Sequence, residues 1–484
     1  MKRKIENLFR KYNVQGISCD SRNLKPGDAF FAIKGEKIDG NRFINEALKT
    51  AKIVFTGDSS WKGEKVFYIQ DIRLAVAIAA EIIYPNLSAN LVAVTGTNGK
   101  TSVVSYIYQI LKLLGQEAAT IGTIGVNSTI KIEEKFLKEL PQSLTTADPI
   151  TFRKILNELT EKEVSNVIFE ASSHGIAQRR LGEIKTKTAG FTSFSQDHLD
   201  YHKTMENYLE AKLQLFRENL EEGGEVVINS EILDSSYGDG VKNFFAKHRI
   251  RYFGVGKNGN IKVKNINSSL TGSKVVFEYN KKEYTFTTNI IGSFQAVNLL
   301  IAAKMTANLG FNFDHIVEVL EKVTAVTGRL QRIGFLESEV QVFVDYAHTP
   351  DALEKSLWEL RNIKAQQGGK LYVVFGCGGD RDPSKRELMG QVACKLADYV
   401  VVTDDNPRSE NPRKIRLDVL KGADGAEEIE GREFAIESTI EKLKKNDILL
   451  IAGKGHETYQ IIGNRTVFFS DIEIARKILL LKNK

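Results

Sequence analysis

Cysteine is scarce in this chain: Cys19, Cys377 and Cys394 are the three in 484 residues, and none has a close-paired spacing. They could form at most one bridge. Neither a disulfide scaffold nor a zinc-ligand pattern is present, so a reducing compartment is expected. Long apolar runs are missing as well. LAVAIAA and ILLIAG fall far short of the ~20 residues a membrane-spanning helix needs. The basic N-terminus MKRKIENLFRKYNV is not followed by the apolar stretch of a signal peptide. The expected location is therefore the cytoplasm. There is also no strong excess of one charge: 67 Lys and Arg against 61 Asp and Glu leave +6. That balance suits anionic small molecules and is thin for a dedicated nucleic-acid binder. Internal repeats and low-complexity tracts are absent.

What remains is the composition of a globular protein, 42% hydrophobic and 26% charged, too long for one hydrophobic core. Residues 1–88 alternate short apolar runs with turns. A Pro-Gly-Asp turn feeds a strand in SRNLKPGDAFFAI, and GNRFINEALKTAKIVFTG reads as a helix running into a strand, together a small α/β unit. YPNLSAN (84–90) is the candidate linker. A second unit, 89–328, alternates strands (LVAV, NVIFE, AGFTSF, EVVINS) with helical segments, which predicts a mainly parallel sheet with helices on both faces. Its later part, 250–290, reads as a hairpin meander before the helix-like SFQAVNLLIAAKMTANLG. A third α/β unit, 329–484, has four apolar strands ending in FVDYAH, VVFGCGG, VVVTDDN and ILLIAGKGHE. Ligands of open parallel sheets bind beyond such carboxyl ends.

The strongest local signal is Thr95-Gly96-Thr97-Asn98-Gly99-Lys100-Thr101, between the strand LVAV and the helix SVVSYIYQILKLL. Glycines let the backbone curl so that successive N–H groups face phosphate oxygens. The helix N-terminus adds partial positive charge, Lys100 reaches the outer phosphates, and Thr101 can ligate Mg²⁺. A solvated lysine on an ordinary Gly-rich turn is the plainer alternative; the strand before and helix after argue against it. The spacing is shorter than the common phosphate-loop form. With its preceding strand, GTNGKT resembles the nucleotide loop of the Mur ligases, which build peptidoglycan precursors, and of the related folylpolyglutamate synthetases.

The Mur resemblance spans essentially the whole chain. It implies a three-domain fold with a central P-loop ATPase domain and a C-terminal Rossmann-like domain, ATP and Mg²⁺ as cofactors, and a ligase that works through an acyl phosphate. In the ATP site it implicates Gly96, Thr97, Asn98, Gly99, Lys100, Thr101 and Ser102, with Asn298 at the adenine, Arg329 at the phosphates and Asp345 at the ribose. Gln295 stands where the family usually has Asn. Glu170, at the end of NVIFE, is by itself as well explained by solvation as by Mg²⁺. Likewise a lone lysine such as Lys212 on NYLEAKLQLF is by default a solvated helix residue, and His174 and His202 read as structural. By resemblance, however, DHLDYHKTMENYLEAKLQLF places Lys212 at the family's carbamylated lysine. Thr101 and Glu170 would then hold one metal, and Glu170, His198 and carbamylated Lys212 the other.

Three C-terminal segments bear on an incoming amino acid: GCGGDRD (376–382), DDNPR (404–408) and GKGHE (453–457). The first is not a dinucleotide fingerprint, since Arg381 takes the third glycine position and no acid is placed ~20 residues on. Arg381 and Arg408 instead offer bidentate forks for carboxylates, while Asn406 and Glu457 can accept from an ammonium. Asp405-Asn406-Pro407-Arg408 resembles the segment that marks members adding meso-diaminopimelate, with Gly453 beside it. Lysine-adding relatives usually lack that arginine.

Towards the N-terminus, Cys19, Ser21, Glu36, Lys37 and Ile38 match by position the contacts to a UDP-linked muramoyl-dipeptide. Leu144, Thr145, Thr146, Ser172, Gln178 and Arg180 match those nearer its peptide end, with Leu144 a departure from the family's Asn. Arg180 has a chemical reason, a carboxylate to hold. The expected partners are these small molecules alone, with no nucleic acid and no membrane insertion, bound by a monomer. Rival readings are the same reaction with L-lysine, a folylpolyglutamate-synthetase-like ligase, a P-loop switch or transport ATPase, and a catalytically dead binding protein. The folylpolyglutamate enzymes lack the extra N-terminal domain and the DNPR segment, and no motif residue is lost that would favour the dead protein.

Overall fold

The computed structural model describes residues 1–35, 38–87, 89–140, 145–334 and 339–482. Near the N-terminus four parallel strands, Gly16–Ser18, Asp28–Ala32, Ile53–Thr56 and Val66–Tyr68, pair in sequence order. The turn before the second strand uses Gly27 at φ 106°, a conformation favourable only for glycine. Phe30 and Phe31 are adjacent, so the strand pleat sends them to opposite faces. Phe31 stacks on Phe55 at 4.7 Å under helices Lys2–Tyr12 and Ile72–Ile83, while Phe30 packs with Ile44 and Val54 on the other side. The chain leaves this layer through Tyr84 and Pro85, whose carbonyls accept from the buried Arg153 at 2.9 and 3.1 Å.

The central sheet has ten strands, and Asn90–Thr95 lies inside it between Asn166–Glu170 and Thr186–Phe191, parallel to both. Its alternation decides the layers. Val92 and Val94 enter one core with helices Lys100–Leu113 and Ser293–Ala307. Leu91 and Ala93 enter the other with helices Pro149–Glu161 and Met205–Glu218. A strand buried on both faces is apolar throughout, as LVAV is. The expected meander forms from Ile261–Ser269, Gly272–Tyr279 and Lys282–Thr288, antiparallel throughout. It is not a separate layer: through Val255↔Ile261 it continues the edge of the parallel sheet.

The last sheet runs, edge to edge, Gln331–Ile333, Gln341–Asp345, Ile448–Ala452, Leu371–Phe375, Tyr399–Val402 and Glu427–Glu428. Asp345 pairs with Ala452, Phe375 with Ala452 and also with Val402. Four strands therefore end in register, and VDYAH, GCGG, TDDNPR and GKGHE all emerge from one edge. Among the described residues no helix is long and apolar enough to cross a membrane, and the three cysteines are free.

Beneath this sheet Arg432 and Asp471 are both fully buried. The guanidinium donates to the two carboxylate oxygens at 2.8 and 2.7 Å, and to the Ala452 carbonyl at 2.9 Å. Removing one partner strands a charge in a dry interior. Asp471→Ala is expected to cost about 3–5 kcal/mol, read as a lower urea midpoint. The paired replacement Arg432→Met with Asp471→Leu should restore most of that loss.

Candidate functional site

The phosphate loop begins where Asn90–Thr95 ends. Gly96 and Gly99 have φ of 153° and 86°, and a Cβ on Gly99 would lie 3.0 Å from Asn298 Oδ1. Both glycines are required by backbone conformation, and Gly99 also by the close approach of Asn298. Lys100 donates to the carbonyls of Gly96 and Thr97, each at 2.9 Å. Its ammonium is thus curled onto its own loop, and burial lowers its basicity against the pull of Glu170 and Asp197. Thr97 bridges to the 193–197 loop: its hydroxyl accepts from the Ser195 N–H at 3.1 Å and from the Tyr208 hydroxyl at 3.2 Å. Asn98 and Thr101 both make contacts across to the last unit. Asn98 Nδ2 donates to Asp351 at 3.0 Å, and Arg329 Nη2 donates to the Thr101 hydroxyl at 2.9 Å.

Beside this loop is a small cavity of about 60 Å³, lined by Ser102, Phe294, Gln295, Asn298, Arg329 and Asp345 among others. Tyr106 donates to Gln295 Oε1 at 3.1 Å, and Asn298 Nδ2 does so at 3.4 Å. Gln295 therefore fills its departure from the family pattern as a buried bridge between two helices. Asp345 is buried, and both of its oxygens accept backbone N–H groups, from Ala347 at 2.7 Å and from Leu330. Burial pushes its carboxyl up to about 6, opposed by Arg329 and those two bonds. It anchors the segment that carries Arg329 to the end of its strand.

Glu170 closes the strand beside the loop and is 1% exposed. Thr123 holds it, with its N–H at 2.8 Å from Oε1 and its hydroxyl at 3.1 Å from Oε2. The Thr145 hydroxyl lies 3.1 Å from that of Thr123. Among the described residues Glu170 makes no ion pair. A buried carboxylate without a cation is costly, so the pocket fits a positive ion. His198 stands at φ 56°, its ring 4.7 Å from His174 and its Nε2 3.4 Å from Asp197. Burial pushes it down to about 3. His202 bonds Ser173 at 2.9 Å, the structural role expected of it. Lys212 is 1% exposed, with its ammonium 4.3 Å from the Tyr208 ring centroid. Burial first, and the charge of Lys100 second, drive its basicity far below that of a free lysine. It is not the solvated helix residue that a lone lysine suggests. Among the described residues no three His, Cys, Asp or Glu side chains are grouped tightly enough to hold a metal. In the set Thr101, Glu170, His198 and Lys212, Glu170 is the one anionic ligand while Lys212 remains an amine.

Across the gap lie the loops of the last sheet. Arg408 has φ 50° and donates Nη1 to the Gly379 carbonyl at 2.7 Å. Its own backbone pairs with the 459–468 hairpin, through the Ile461 carbonyl at 3.1 Å and the Gly463 N–H at 2.8 Å. Pro407 precedes it, and Arg381 stands exposed at the cavity wall. Gly453, at φ 116°, leaves room for Asp405: a Cβ there would be 2.8 Å from Oδ2. Asn406 departs from expectation. Its Oδ1 already accepts from Lys454 at 3.2 Å and from the Ile461 N–H at 3.0 Å, and its Nδ2 donates to Glu457 at 3.0 Å. With both lone pairs of that oxygen engaged, Asn406 is set up as a donor rather than as an acceptor for an ammonium.

Phosphate-loop residues, Glu170 and His198 line one cavity of about 490 Å³ with Arg381, Asp405, Asn406, Arg408, Gly453 and Glu457. Lys212 lies outside its lining. Contacts that the sequence reading missed hold the two walls together. Asp197 faces His348 at 3.8 Å and Lys385 at 3.9 Å, and Gln196 donates to Ser384 at 3.1 Å. The presence of Asp197 in DHLDYH was the available signal for it. Behind Glu170, Thr146 donates to the Glu170 carbonyl at 2.9 Å and accepts from the Ser172 N–H at 2.9 Å. Arg180 donates to the Thr146 carbonyl at 2.6 Å and to Gln178 at 2.9 Å. Cys19 and Ser21 lie past the first strand of the N-terminal sheet without a bond to this group, and Ile38 is exposed. Glu36, Lys37 and Leu144 fall outside the described residues.

Three stretches of the chain match family models. Residues 13–83 match the Mur ligase family catalytic domain, 94–306 the Mur ligase middle domain, and 328–455 the Mur ligase glutamate ligase domain. A protein of Rickettsia montanensis called UDP-N-acetylmuramoyl-L-alanyl-D-glutamate–2,6-diaminopimelate ligase is 50% identical over 481 residues, covering 99% of this chain and 98% of its own. One of the same name from Rickettsia felis is 46% identical over 534 residues, with 99% of both chains covered. A solved structure of a protein so named superposes with a TM-score of 0.66 at 30% identity, over 97% of this chain and 96% of its own. The chain belongs to the Mur ligase family.

Proposed function

We propose that this Mur ligase uses ATP to join meso-2,6-diaminopimelate to the D-glutamate of UDP-N-acetylmuramoyl-L-alanyl-D-glutamate, a cytoplasmic step of peptidoglycan precursor synthesis. The observation that carries this is the shared cavity: the phosphate loop forms one wall and the Arg381, Arg408 and Glu457 set forms the other. The relatives' names supply the substrates. The chain works as a monomer of three units, 1–88 for the UDP precursor, 89–328 for ATP and 329–484 for the amino acid.

The reaction has two steps. A γ-carboxylate oxygen of the D-glutamate attacks the γ-phosphorus of ATP, the bond to the bridging oxygen breaks, and ADP leaves an acyl phosphate. The amine of the diamino acid then attacks the acyl carbon, phosphate departs from the tetrahedral intermediate, and the nitrogen loses its proton. The protein contributes position and charge. Lys100 exchanges the Gly96 and Thr97 carbonyls for phosphate oxygens, and Arg329 reaches them from the opposite wall. Arg180, Thr146 and Gln178 hold the peptide end of the acceptor. Burial and the charge of Lys100 disfavour the ammonium form of Lys212, and the neutral amine is the form that can add to CO₂ with loss of a proton. The resulting carbamate would supply a second anionic ligand beside Glu170. Thr101 and Glu170 would hold one Mg²⁺, and Glu170, His198 and carbamylated Lys212 a second; bound there, Mg²⁺ would offset the repulsion between carboxylate and triphosphate. Arg381 and Arg408 take the carboxylate of the amino acid remote from the reacting amine.

ADP release should require precursor, a diamino acid and Mg²⁺ together, and chelation should abolish it; hydrolysis without acceptors would instead mark a switch or transport ATPase. With meso-diaminopimelate, L-lysine and L-ornithine compared in parallel, the first should form product. Arg408→Ala should raise the KM for meso-diaminopimelate about 100-fold, the scale of a lost charge-paired hydrogen bond, with the KM for ATP unchanged. Isotope-labelled bicarbonate should give a carbamate resonance that disappears in Lys212→Ala, whose turnover should fall about 100-fold or more. Full turnover in that variant would refute the role given to this lysine.

A further inference from the structure

Lys454 takes no part in the steps above, yet its side chain is completely buried. Its ammonium donates to Asn406 Oδ1 at 3.2 Å and to Glu457 Oε2 at 3.0 Å, with the rings of Tyr459 and Phe469 at 5.7 and 6.0 Å. A strongly hydrated cation is seldom held in so dry a place without a defined task.

Its neighbours show what that task is. The Asn406 oxygen accepts from Lys454 and from the Ile461 N–H, which turns the amide nitrogen towards Glu457. Donors and acceptors agree at all three contacts, so the amide has one orientation. Both bonds to Glu457 fall on Oε2, and Oε1 carries none among the described residues. Glu457 lines the cavity. The charges give the same answer. Around this loop Asp405 and Glu457 contribute two negative charges and Lys454 one positive charge, since Arg432 is already paired with Asp471. One negative charge is left over, enough for one ammonium. The arginines nearby suit a carboxylate, so the surplus is placed where a second amine would lie.

The geometry points to Lys454 as a positioning residue that, directly and through Asn406, aims Glu457 at the second, non-reacting ammonium of the acceptor and so selects diamino over monoamino acids. This rests on the ligase reading above. Without Lys454 the carboxylate loses the cation that opposes the effect of its burial, and the Asn406 amide is free to turn over. Recognition of the second amine then fails while the arginine contacts persist.

The test compares two acceptors that share the reacting amine and the remote carboxylate, meso-diaminopimelate and L-2-aminopimelate, which lacks the second amine. In wild-type protein kcat/KM should strongly favour the first. Lys454→Met should shrink that preference at least 10-fold through a higher KM for diaminopimelate, with the KM for ATP unchanged, and Lys454→Arg should recover part of it. A merely structural lysine would weaken both acceptors equally, and an unmoved ratio overturns the proposal. Should Lys454→Met fail to fold, Lys454→Gln, which keeps a donor for Asn406, is read by the same ratio. Wild-type protein that uses neither acceptor would overturn the ligase reading and this inference with it; one that uses diaminopimelate with an unmoved ratio overturns this inference alone.

Discussion

Glu170 is a buried carboxyl group that makes no ion pair among the described residues, and much of the active-site architecture follows from that constraint. A carboxylate withdrawn from bulk water is costly without compensation. Thr123 supplies two hydrogen bonds, which orient the group without neutralising it. Lys100 is close enough to be felt, but its ammonium is spent on two carbonyls. The site is therefore built for charges that arrive with the substrates, and its geometry is fixed in advance by strand ends and by glycines that permit close backbone approach. Such preorganisation is the main thing a protein can add to phosphoryl transfer.

The second requirement is that two walls meet. One wall has the phosphate loop, the other Arg381, Arg408 and Glu457, and the cavity is lined by both. Contacts between them are polar and individually modest, namely Arg329 on Thr101, Asn98 on Asp351, and Asp197 facing His348 and Lys385. A polar seam of this kind can open, whereas an apolar one of equal area would hold the walls shut. Opening is needed because ADP and phosphate must leave from between the walls. Asp345, which ties Leu330 to its strand end, fixes where the chain bends.

What could be read in the sequence was what is local. The phosphate loop announces itself because strand, glycines, lysine and helix are contiguous. The end-of-strand clusters in the last unit are visible because each loop follows directly on an apolar run. Lys212 was recognised only by likeness to the family; nothing in NYLEAKLQLF says that the helix turns it inward. Thr123 could not be paired with Glu170, 47 residues away, nor could the Gln196 region be matched to the Ser384 region, 188 residues on. Such pairings depend on strand order. Asn406 shows a different limit. Its residue type allows donation and acceptance alike, and the choice belongs to Lys454 and Ile461, which touch it only in the folded chain.

Selectivity in the last unit follows from the same electrostatics as catalysis in the central one. Arg408 adopts a left-handed backbone conformation and is held by the Gly379 carbonyl and by pairing with the 459–468 hairpin. Its guanidinium is therefore placed before any substrate arrives, and little side-chain entropy remains to be lost on binding. A rigid cation and a rigid surplus anion are strict about what they accept, because a substrate lacking either complementary charge leaves a desolvated group unpaired. A flexible pair could relax into solvent and would tolerate lysine. On the proposed reading, rigidity is what would convert two ordinary ion pairs into a choice between amino acids, and buried groups behind the cavity wall, Lys454 and the Arg432–Asp471 pair, would supply it.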